Sequence, residues 1–256
     1  MALSLEGKVA IVTGASRSRG IGAQIAYELA KRGAKVVVTF TSPSSEKSVD
    51  ELVKRIEQLQ NGSAAAKVKA DLREVDAPEK IVQATRSAFG DHFDILVNNA
   101  GCEMVKGLGD ISADDFSYVY NLNVRAVLLM SKVALPHLRA PGRIINVSSV
   151  GARLGLKDLS LYCSSKAAVE GMTRCFAAEL GPQGHTVNTI NPGPVPTDVL
   201  DGIPKELVEM HKKMTPVEGR LGTTDDIAQI VGFLSEESSR WITGQAISAS
   251  GGFSMY

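Results

Sequence analysis

Short apolar segments alternate with longer segments of helical periodicity along the chain. The segments at residues 8–12 and 93–97 are short, mostly apolar and bounded by turn residues, which is typical of strands in a parallel sheet that is buried on both faces. In residues 46–60, apolar side chains recur every three or four positions, which predicts an amphipathic helix. The alternation of the two patterns predicts an α/β fold, a doubly wound parallel sheet with helices on both faces.

The same patterns give approximate bounds for the other elements. The predicted strands are residues 8–12, 35–39, 65–69, 93–97, 143–148, 186–190 and 245–249. The predicted helices are residues 23–32, 46–60, 77–89 and 112–138, a helix through residue 162 that ends at 180, and residues 223–234. Neither an internal repeat nor a linker divides the sequence, so we expect a single domain over residues 1–256.

The turn after the first predicted strand is rich in glycine. It reads Thr-Gly-Ala-Ser-Arg-Ser-Arg-Gly-Ile-Gly from Thr13 to Gly22, and a helical pattern follows it. Glycines in such a strand–turn–helix unit allow a tight turn and let the backbone approach a pyrophosphate, whose charge is met by amide N–H groups at the helix N-terminus. The unit therefore predicts a dinucleotide site.

Tyr162 and Lys166 lie four residues apart, which on a helix places both side chains on one face. An ammonium beside a phenol favours its ionised form, so the pair can take part in proton transfer. A tyrosine titrates near ~10, so a pKa near ~7 requires a shift of about 3 units, and one close cation supplies about 1–3 units. We expect Lys166 to lower the pKa of Tyr162, with any remainder supplied by a second positive group such as an oxidised nicotinamide. The spacing alone is a weak pattern that a surface tyrosine and lysine also show.

Four sequence signatures occur together in the order and spacing of one protein family. They are the glycine turn, the turn Asn98-Asn-Ala-Gly101, a serine thirteen residues before the tyrosine, at Ser149, and the pair Tyr162 and Lys166. With these signatures, the sequence resembles the short-chain dehydrogenase/reductase family from about residue 5 to residue 252.

The glycine turn is longer than the turn that is usual in this family. Five residues separate Gly14 from Gly20, where the family usually has three. The sequence therefore leaves open which of Arg17, Ser18 and Arg19 faces the cofactor.

The end of the second predicted strand indicates which dinucleotide is bound. A carboxylate that would bind an adenosine ribose is expected about 20 residues after the glycine turn, but the sequence has Thr41 and Ser42 there, and the first acid is Glu46. These hydroxyls and an arginine of the glycine turn could accept a 2′-phosphate, which favours NADP(H) over NAD(H). The alternative is that both are ordinary loop residues.

The family resemblance implies a Rossmann fold with seven strands in the order 3-2-1-4-5-6-7, and a role for each catalytic residue. Tyr162 would donate a proton to a carbonyl oxygen, Ser149 would position that oxygen, and Lys166 would lower the tyrosine pKa and hold the ribose. Asn123 would kink its helix and hold a water in a proton path behind Lys166, with Asn121 as a near competitor for this role. The expected cofactor contacts are Gly14, Arg17, Ser18, Arg19, Gly20, Ile21, Gly22, Thr41, Ser42, Asp71, Leu72, Asn99, Ala100, Gly101, Tyr162, Lys166, Pro192, Gly193, Val195 and Thr197.

Composition and charge argue against several other classes of function. The chain has 28 basic and 28 acidic residues, without the basic excess expected of a nucleic-acid-binding protein. The scattered Cys102, Cys163 and Cys175 fit free thiols in a reducing compartment, and no His, Cys and carboxylate cluster has the spacing of a metal site. The sequence shows neither the layout of a signal peptide nor an apolar run of the ~20 residues that span a bilayer. We expect a cytoplasmic protein that binds no metal, nucleic acid or membrane.

These observations predict an NADPH-dependent ketoreductase for a small apolar or polyketide-like carbonyl substrate, similar to ketoacyl-carrier-protein, polyketide and naphthol reductases. Apolar residues in an expected substrate lid at about 194–216 favour a bulky or apolar substrate. The apolar run at residues 124–135, together with the resemblance, predicts a homo-oligomer, with a tetramer expected. Two alternatives remain: a dinucleotide-binding sensor or scaffold without turnover, and a pocket that also guides a non-redox step such as cyclisation of the reduced product.

Overall fold

A parallel sheet organises the described part of the chain. The computed structural model describes residues 3–197 and 204–256, so residues 198–203 of the expected substrate lid lie outside the described residues. The described strands are β1 (Val9–Val12), β2 (Lys35–Phe40), β3 (Ala65–Lys69), β4 (Phe93–Asn98), β5 (Leu138–Val147), β6 (Thr186–Pro192) and β7 (Ala246–Ala249). They pair in parallel in the order β3-β2-β1-β4-β5-β6-β7, which confirms the predicted fold class and strand order.

Helices cover both faces of the sheet. The described helices are α1 (Ile21–Lys31), α2 (Glu46–Glu57), α3 (Ala77–Phe89), α4 (Ala113–Tyr120), α5 (Ala126–Ala134), α6 (Ser160–Leu180), α7 (Lys205–Met214) and α8 (Thr224–Ser235). Residues of α1, α2 and α8 share one apolar core cluster with the sheet, and residues of α3, α5 and α6 share a second cluster. Because the sheet is covered on both sides, β4 and β6 are buried along their whole length, including their polar residues.

The long helix predicted for residues 112–138 is interrupted and ends early. It begins as predicted, with a capping box in which Ser112 Oγ accepts a hydrogen bond from the Asp115 N–H. A π-helical turn at Asn121–Arg125 then separates α4 from α5, and α5 ends at Ala134 before a 3₁₀ turn at Leu135–His137. Pro136 in this turn has no N–H to continue the α-helical ladder, so the last turn before the predicted end near residue 138 is 3₁₀ and not α-helical. The π-turn carries Asn123, and such turns are frequent at functional sites.

A buried histidine joins two strands near the amino edge of the sheet. His185 immediately precedes β6, and its Nδ1 accepts a hydrogen bond of 2.9 Å from the Gly142 N–H in β5. Burial, and then the neighbouring Arg143 cation, lowers the pKa of His185. The fold therefore selects the neutral imidazole at this position.

We expect His185 to make the fold sensitive to mild acid. Its pKa in the folded protein lies below the ordinary value of ~6.5, so the folded state binds fewer protons, and the stability that this group contributes is lost as the pH falls below that value. In urea unfolding at about pH 7.5 and about pH 5.5, His185→Gln should weaken the acid-dependent loss of stability, with the exposed-site variant His92→Gln as control. At the higher pH, the lost Gly142 hydrogen bond should cost about 1–2 kcal/mol. A His185→Gln variant with the pH dependence of the wild type would contradict this assignment.

Candidate active site

The candidate residues meet at the carboxyl edge of the sheet. The segments that follow the first six strands along the chain are residues 13–22, 41–42, 71–72, 99–101, 148–149 and 193–197. Parallel strands place their carboxyl ends at the same edge, and this edge is where ligands bind in open α/β sheets. Tyr162 and Lys166 come to this edge from α6, and Asn123 comes from the π-turn.

The glycine turn leaves no room for side chains at two positions. Gly14 has φ +68°, and a Cβ there would lie 2.7 Å from Ala100 Cα. A Cβ at Gly22 would lie 2.4 Å from Asn99 Nδ2. Gly20 is the N-cap of α1. Because it has no side chain to accept hydrogen bonds from the first N–H groups of the helix, these groups can bind an anion. The sequence requires small residues here because two turns are packed together.

Asn99 and Thr13 join these two turns by hydrogen bonds. Asn99 Nδ2 donates to Thr13 O at 2.9 Å and to Gly14 O at 3.0 Å. In return, Thr13 Oγ1 accepts from the N–H groups of Asn99 at 3.0 Å and Ala100 at 3.1 Å. The glycine turn and the turn after β4 therefore behave as one unit, in which Asn99 orders the backbone.

Hydroxyl and cationic side chains lie around the ends of β1, β2 and β3. Residues 17–19 of the lengthened glycine turn are exposed, and the two arginines among them place positive charge at this edge. Ser42 Oγ lies 2.7 Å from Ser44 Oγ and 2.8 Å from Ser45 Oγ, which makes a cluster of three hydroxyls directly after β2. After β3, Leu72 is buried, and Asp71 Oδ1 accepts from the Arg73 N–H at 2.9 Å. No acid follows β2 directly, so this end of the edge suits a phosphate better than a ribose diol.

Ser149 and Tyr162, thirteen residues apart in sequence, lie on either side of Gly151, where an added Cβ would be 3.3 Å from Ser149 Oγ and 3.5 Å from Tyr162 Cε1. Ser149 Oγ accepts from the Gly151 N–H at 3.0 Å, which fixes the hydroxyl in the loop after β5. The adjacent Ser148 is buried, and its Oγ donates to Lys166 O at 3.0 Å. The structure thus places Ser149 beside the phenol, while Ser148 ties α6 to the end of β5.

The Lys166 ammonium is buried next to this pair. Its Nζ donates to Val147 O at 2.9 Å and lies 5.7 Å from the centroid of the Tyr162 ring. A Cβ at Gly101 would lie 3.3 Å from Lys166 Nζ and 3.3 Å from Asn123 Oδ1, so this glycine allows the lysine and the π-turn to approach the same backbone segment.

Asn123, and not Asn121, makes the contacts that link the π-turn to the site. Its Nδ2 donates to Cys102 O and to Ser165 Oγ, each at 2.9 Å, and its Oδ1 accepts from the Cys102 N–H at 2.9 Å. The side chain is almost completely buried. Asn123 therefore holds the segment after Gly101 against the helix that carries Lys166.

The protein's own groups keep the Tyr162 phenol protonated. Burial raises the pKa of Tyr162 to about 12, opposed by the Ser149 hydrogen bond and reinforced by the Glu103 carboxylate. Burial also lowers the pKa of Lys166 to about 8. The expectation that Lys166 brings the tyrosine pKa towards neutrality is therefore wrong for the protein alone. Desolvation is the largest cause of the shift in the Tyr162 pKa, and Lys166 Nζ donates its hydrogen bond to the Val147 carbonyl.

Two side chains that sequence analysis did not single out belong to these surroundings. Ser165 accepts the Asn123 hydrogen bond, and Glu103 adds negative charge near the phenol. Helical periodicity could have placed Ser165 on the buried side of α6, because it lies four residues from both Leu161 and Val169, which are buried apolar residues. No periodicity applies to Glu103, which lies in an irregular segment after Gly101.

The segment after β6 completes the carboxyl edge. Pro192 and Val195 are buried, whereas Gly193 and Thr197 are partly exposed. A Cβ at Gly193 would lie 2.8 Å from Ser250 Cβ, so the turn packs closely on the segment after β7. A cavity of about 190 Å³ adjoins this turn and is lined in part by Gly193, Pro194 and Arg220.

Three other properties of the described residues bear on function. Within residues 3–197 and 204–256, no group of three or more His, Cys, Asp or Glu side chains is arranged to hold a metal ion. None of the helices described is both long and apolar enough to cross a membrane. Cys102, Cys163 and Cys175 are free thiols.

A glycine turn between β1 and α1 of a doubly wound parallel sheet defines the class of dinucleotide-binding α/β proteins. A family model described as enoyl-(acyl carrier protein) reductase matches residues 14–254. The short-chain dehydrogenase/reductase FrzI of Cladobotryum sp. is 44% identical over 256 residues, which cover 97% of this chain and 96% of the relative. The hydroxynaphthalene reductase-like protein Arp2 of Metarhizium guizhouense is 42% identical over 262 residues, with coverages of 97% and 96%. The crystal structure of the angucycline C-6 ketoreductase LanV with bound NADP matches with a TM-score of 0.89 at 35% identity, over 98% of this chain and 96% of that chain. The chain belongs to the short-chain dehydrogenase/reductase family of oxidoreductases, as its signatures predicted.

Substitution of two glycines should separate steric contact from backbone strain. Gly14 and Gly62 both have positive φ, +68° and +86°, but only Gly14 has an atom within 4 Å of the added Cβ. We expect Gly62→Ala to lower the free energy of unfolding by about 1–2 kcal/mol, the cost of the left-handed backbone. Gly14→Ala should cost about 1–3 kcal/mol more, because the methyl group overlaps Ala100. Equal losses of unfolding free energy for the two variants in urea would show that the two turns accommodate the added methyl group without loss of stability.

Proposed function

We propose that the protein is an NADP(H)-dependent ketoreductase that acts on a small, apolar or polyketide-like carbonyl compound. The observation that carries this proposal is the convergence of three side chains: a Cβ at Gly151 would lie 3.3 Å from Ser149 Oγ and 3.5 Å from Tyr162 Cε1, and the Lys166 ammonium lies 5.7 Å from the centroid of the phenol ring. A hydroxyl and a phenol that lie side by side can both reach one carbonyl oxygen. Reduction needs one donor to stabilise the charge on that oxygen and one to protonate it.

The proton states of these residues suit the reductive direction. A Tyr162 pKa of about 12 keeps the phenol protonated at neutral pH, which is the form that donates. Ser149 would hydrogen-bond the carbonyl oxygen as it becomes negative, and Tyr162 would transfer its proton to that oxygen. Lys166, with a pKa of about 8, could then return a proton to the phenolate. When bound, a reduced nicotinamide supplies the hydride to the carbonyl carbon.

Asn123 supports the proton path by positioning its neighbours. Its side-chain amide is already committed to Cys102 and Ser165, so we assign it the task of holding the turn after β4 against Lys166. The π-turn also leaves the regular hydrogen-bond ladder of the helix, which provides backbone carbonyls that can hold a water behind the lysine.

The residues at the carboxyl edge fit a dinucleotide with a 2′-phosphate. The closely packed turns at Gly14 and Gly22 would let the backbone and the start of α1 approach a pyrophosphate. The hydroxyls of Thr41 and Ser42, with an arginine of residues 17–19, would hold the 2′-phosphate. Asp71 and Leu72 would border the adenine, Lys166 would hold the nicotinamide ribose, and residues 192–197 would contact the carboxamide. The bound NADP of the related LanV structure supports this assignment.

Apolar side chains near the expected lid and the catalytic loop support an apolar substrate. Met210 and Met214 of α7, Val217 and Leu156 are all exposed. The names of two related proteins, a hydroxynaphthalene reductase-like protein and an angucycline ketoreductase, support an aromatic or polyketide ketone of secondary metabolism. We therefore place bicyclic ketones and hydroxynaphthalene-type compounds first among candidate substrates.

The proposal is tested by a panel of bicyclic ketones, quinones and β-ketoacyl thioesters, scored by NADPH consumption with identification of each product. Reduction of a ketone to the corresponding alcohol supports it. Tight NADPH binding with no turnover on any compound would replace it with the sensor or scaffold alternative. Detection of a cyclised product would show that the pocket also guides a non-redox step.

Tyr162→Phe should separate cofactor binding from chemistry. The variant keeps the ring and its packing but deletes the proposed proton donor, so NADPH should still bind while kcat falls by at least ~10²-fold. Lys166→Met should damage both binding and turnover, because the ammonium is assigned to the ribose as well as to the proton path. Ser149→Ala should lower mainly kcat. Near-normal turnover by Tyr162→Phe would mean that the proton has another source.

The preference for NADPH should depend on the hydroxyl cluster after β2. Wild-type kcat/KM should be higher with NADPH than with NADH, because no carboxylate repels a 2′-phosphate at this position. Ser42→Asp should lower kcat/KM for NADPH by about tenfold or more while changing that for NADH little, since a like charge would face the phosphate. Ser87→Asp, at an exposed position of α3, serves as the charge control. Equal kcat/KM values of the wild type for NADPH and NADH would contradict the assignment of a 2′-phosphate site after β2.

We also propose a homo-oligomer, with a tetramer as the expected state, in which α4 and α5 pack against a second copy. Phe116, Tyr118 and Leu128 on these helices are 48%, 49% and 43% exposed, and a partner would cover apolar side chains such as these. Light scattering at micromolar concentration should show an oligomer. Leu128→Glu should shift it to smaller species, whereas Gln58→Glu, at the exposed end of α2, should not. A monomeric wild type would contradict the proposal.

The cellular location we propose is the cytoplasm. Free thiols at Cys102, Cys163 and Cys175 suit a reducing compartment, and NADPH is the reductant that we assign to the site.

A further inference from the structure

Four side chains from four separate segments form a closed network beside the candidate site. Glu170 Oε2 accepts from Arg153 Nε at 2.6 Å, and Glu170 Oε1 accepts from Asn191 Nδ2 at 2.6 Å. Asn191 Nδ2 also donates to Tyr256 Oη. The Arg153 guanidinium lies 4.9 Å from the centroid of the Tyr256 ring, which closes the network.

Three members of this network lie within four residues in sequence of different parts of the proposed site. Glu170 lies on α6, four residues beyond Lys166 and therefore on the same face of the helix. Arg153 ends the short helical turn that follows Ser149. Asn191 directly precedes the segment at residues 192–197, to which we assign the nicotinamide. The network therefore connects the three segments whose relative position decides hydride and proton transfer.

Burial makes these contacts costly to lose. Glu170 is 4% exposed, so its carboxylate depends on Arg153 and Asn191 for the charge and hydrogen bonds that water would otherwise supply. Asn191 is fully buried, and its Oδ1 has no hydrogen-bond partner among the described residues. The orientation of the Asn191 amide is thus set by its Nδ2, which Glu170 and Tyr256 hold together. Removal of either acceptor frees this amide to turn.

We propose that Glu170 and Tyr256 are positioning residues for the nicotinamide. Through Asn191 they hold the turn after β6 in a set orientation relative to Ser149 and Tyr162, without contact with the reacting atoms. The inference rests on the proposed function, because it presupposes a nicotinamide at this turn. It assigns a role to Tyr256, which is far in sequence from every signature of the family.

Tyr256→Phe tests the role of one oxygen atom, because it deletes the hydroxyl and keeps the ring beneath Arg153. The emission of bound NADPH reports the confinement of its nicotinamide without any turnover. We expect a lower emission per bound NADPH and a kcat about 5–20-fold lower on the best ketone of the panel, because small errors in alignment slow hydride transfer. The Kd for NADPH should change by less than about twofold, since the phosphates and adenosine bind at β1 and β2 and supply most of the affinity.

Two further variants make the test specific. Glu170→Gln keeps the shape of the side chain but loses one acceptor, so it should show the same pattern more strongly. The double variant Glu170→Gln with Tyr256→Phe should have the same kcat and the same emission per bound NADPH as Glu170→Gln alone, because both changes act through Asn191. Tyr27→Phe is the control, since its ring lies 4.5 Å from the Arg55 guanidinium in a similar contact on the other side of the molecule.

The outcomes distinguish this inference from the proposed function. Wild-type emission and kcat in Tyr256→Phe would overturn the inference, and so would a fall in Tm that accounts for the whole loss of activity. Additive losses in the double variant would overturn the route through Asn191. If the wild type binds NADPH but reduces no ketone, the proposed function fails, while the emission measurements still decide whether the network positions the nicotinamide.

Discussion

The burial of the Lys166 ammonium is the constraint on which the candidate site depends. A cation removed from water loses hydration, and here the loss lowers the pKa of Lys166 to about 8. The Val147 carbonyl at the end of β5 accepts a hydrogen bond from the ammonium. The end of β5 must therefore lie next to the turn of α6 that carries Lys166. A second hydrogen bond, from Ser148 Oγ to the Lys166 carbonyl, also joins the end of β5 to α6. Once this junction is made, Tyr162 and Ser149 have little freedom to lie anywhere but beside each other.

The other turns at the carboxyl edge are held by backbone contacts that exclude side chains. Gly14 and Gly22 are packed against Ala100 and Asn99, and Gly101 lies where the lysine and Asn123 converge. Larger residues would separate the ends of β1 and β4, which would form the floor of the proposed dinucleotide site. The glycines therefore have two effects. They let the two turns pack closely, and they leave the amide groups at the start of α1 accessible to a phosphate.

Desolvation gives the two titratable groups of the site opposite pKa shifts. It raises the pKa of the phenol, whose charged form is an anion, and lowers that of the lysine, whose charged form is a cation. The resulting pair holds a proton on Tyr162 and can release one from Lys166 near neutral pH. This order of proton affinities agrees with reduction of a carbonyl group, in which the phenol must begin protonated and must be reprotonated after each cycle.

Local patterns in the sequence were enough to predict the strands, their order through the family resemblance, the glycine turn, and the spacing that brings Ser149 to Tyr162. These features depend on residues near one another in the chain, or on signatures that imply a known fold. The family resemblance predicted a kink of the long helix at Asn123, but only the tertiary structure showed its form, a π-turn held by hydrogen bonds between Asn123 and Cys102, which come from different elements. The tertiary structure also decided the pKa of Tyr162, since desolvation is summed over every group that packs around the phenol. The contact of Asn191 with Tyr256 spans 65 residues, and no periodicity of helix or strand extends over such a distance.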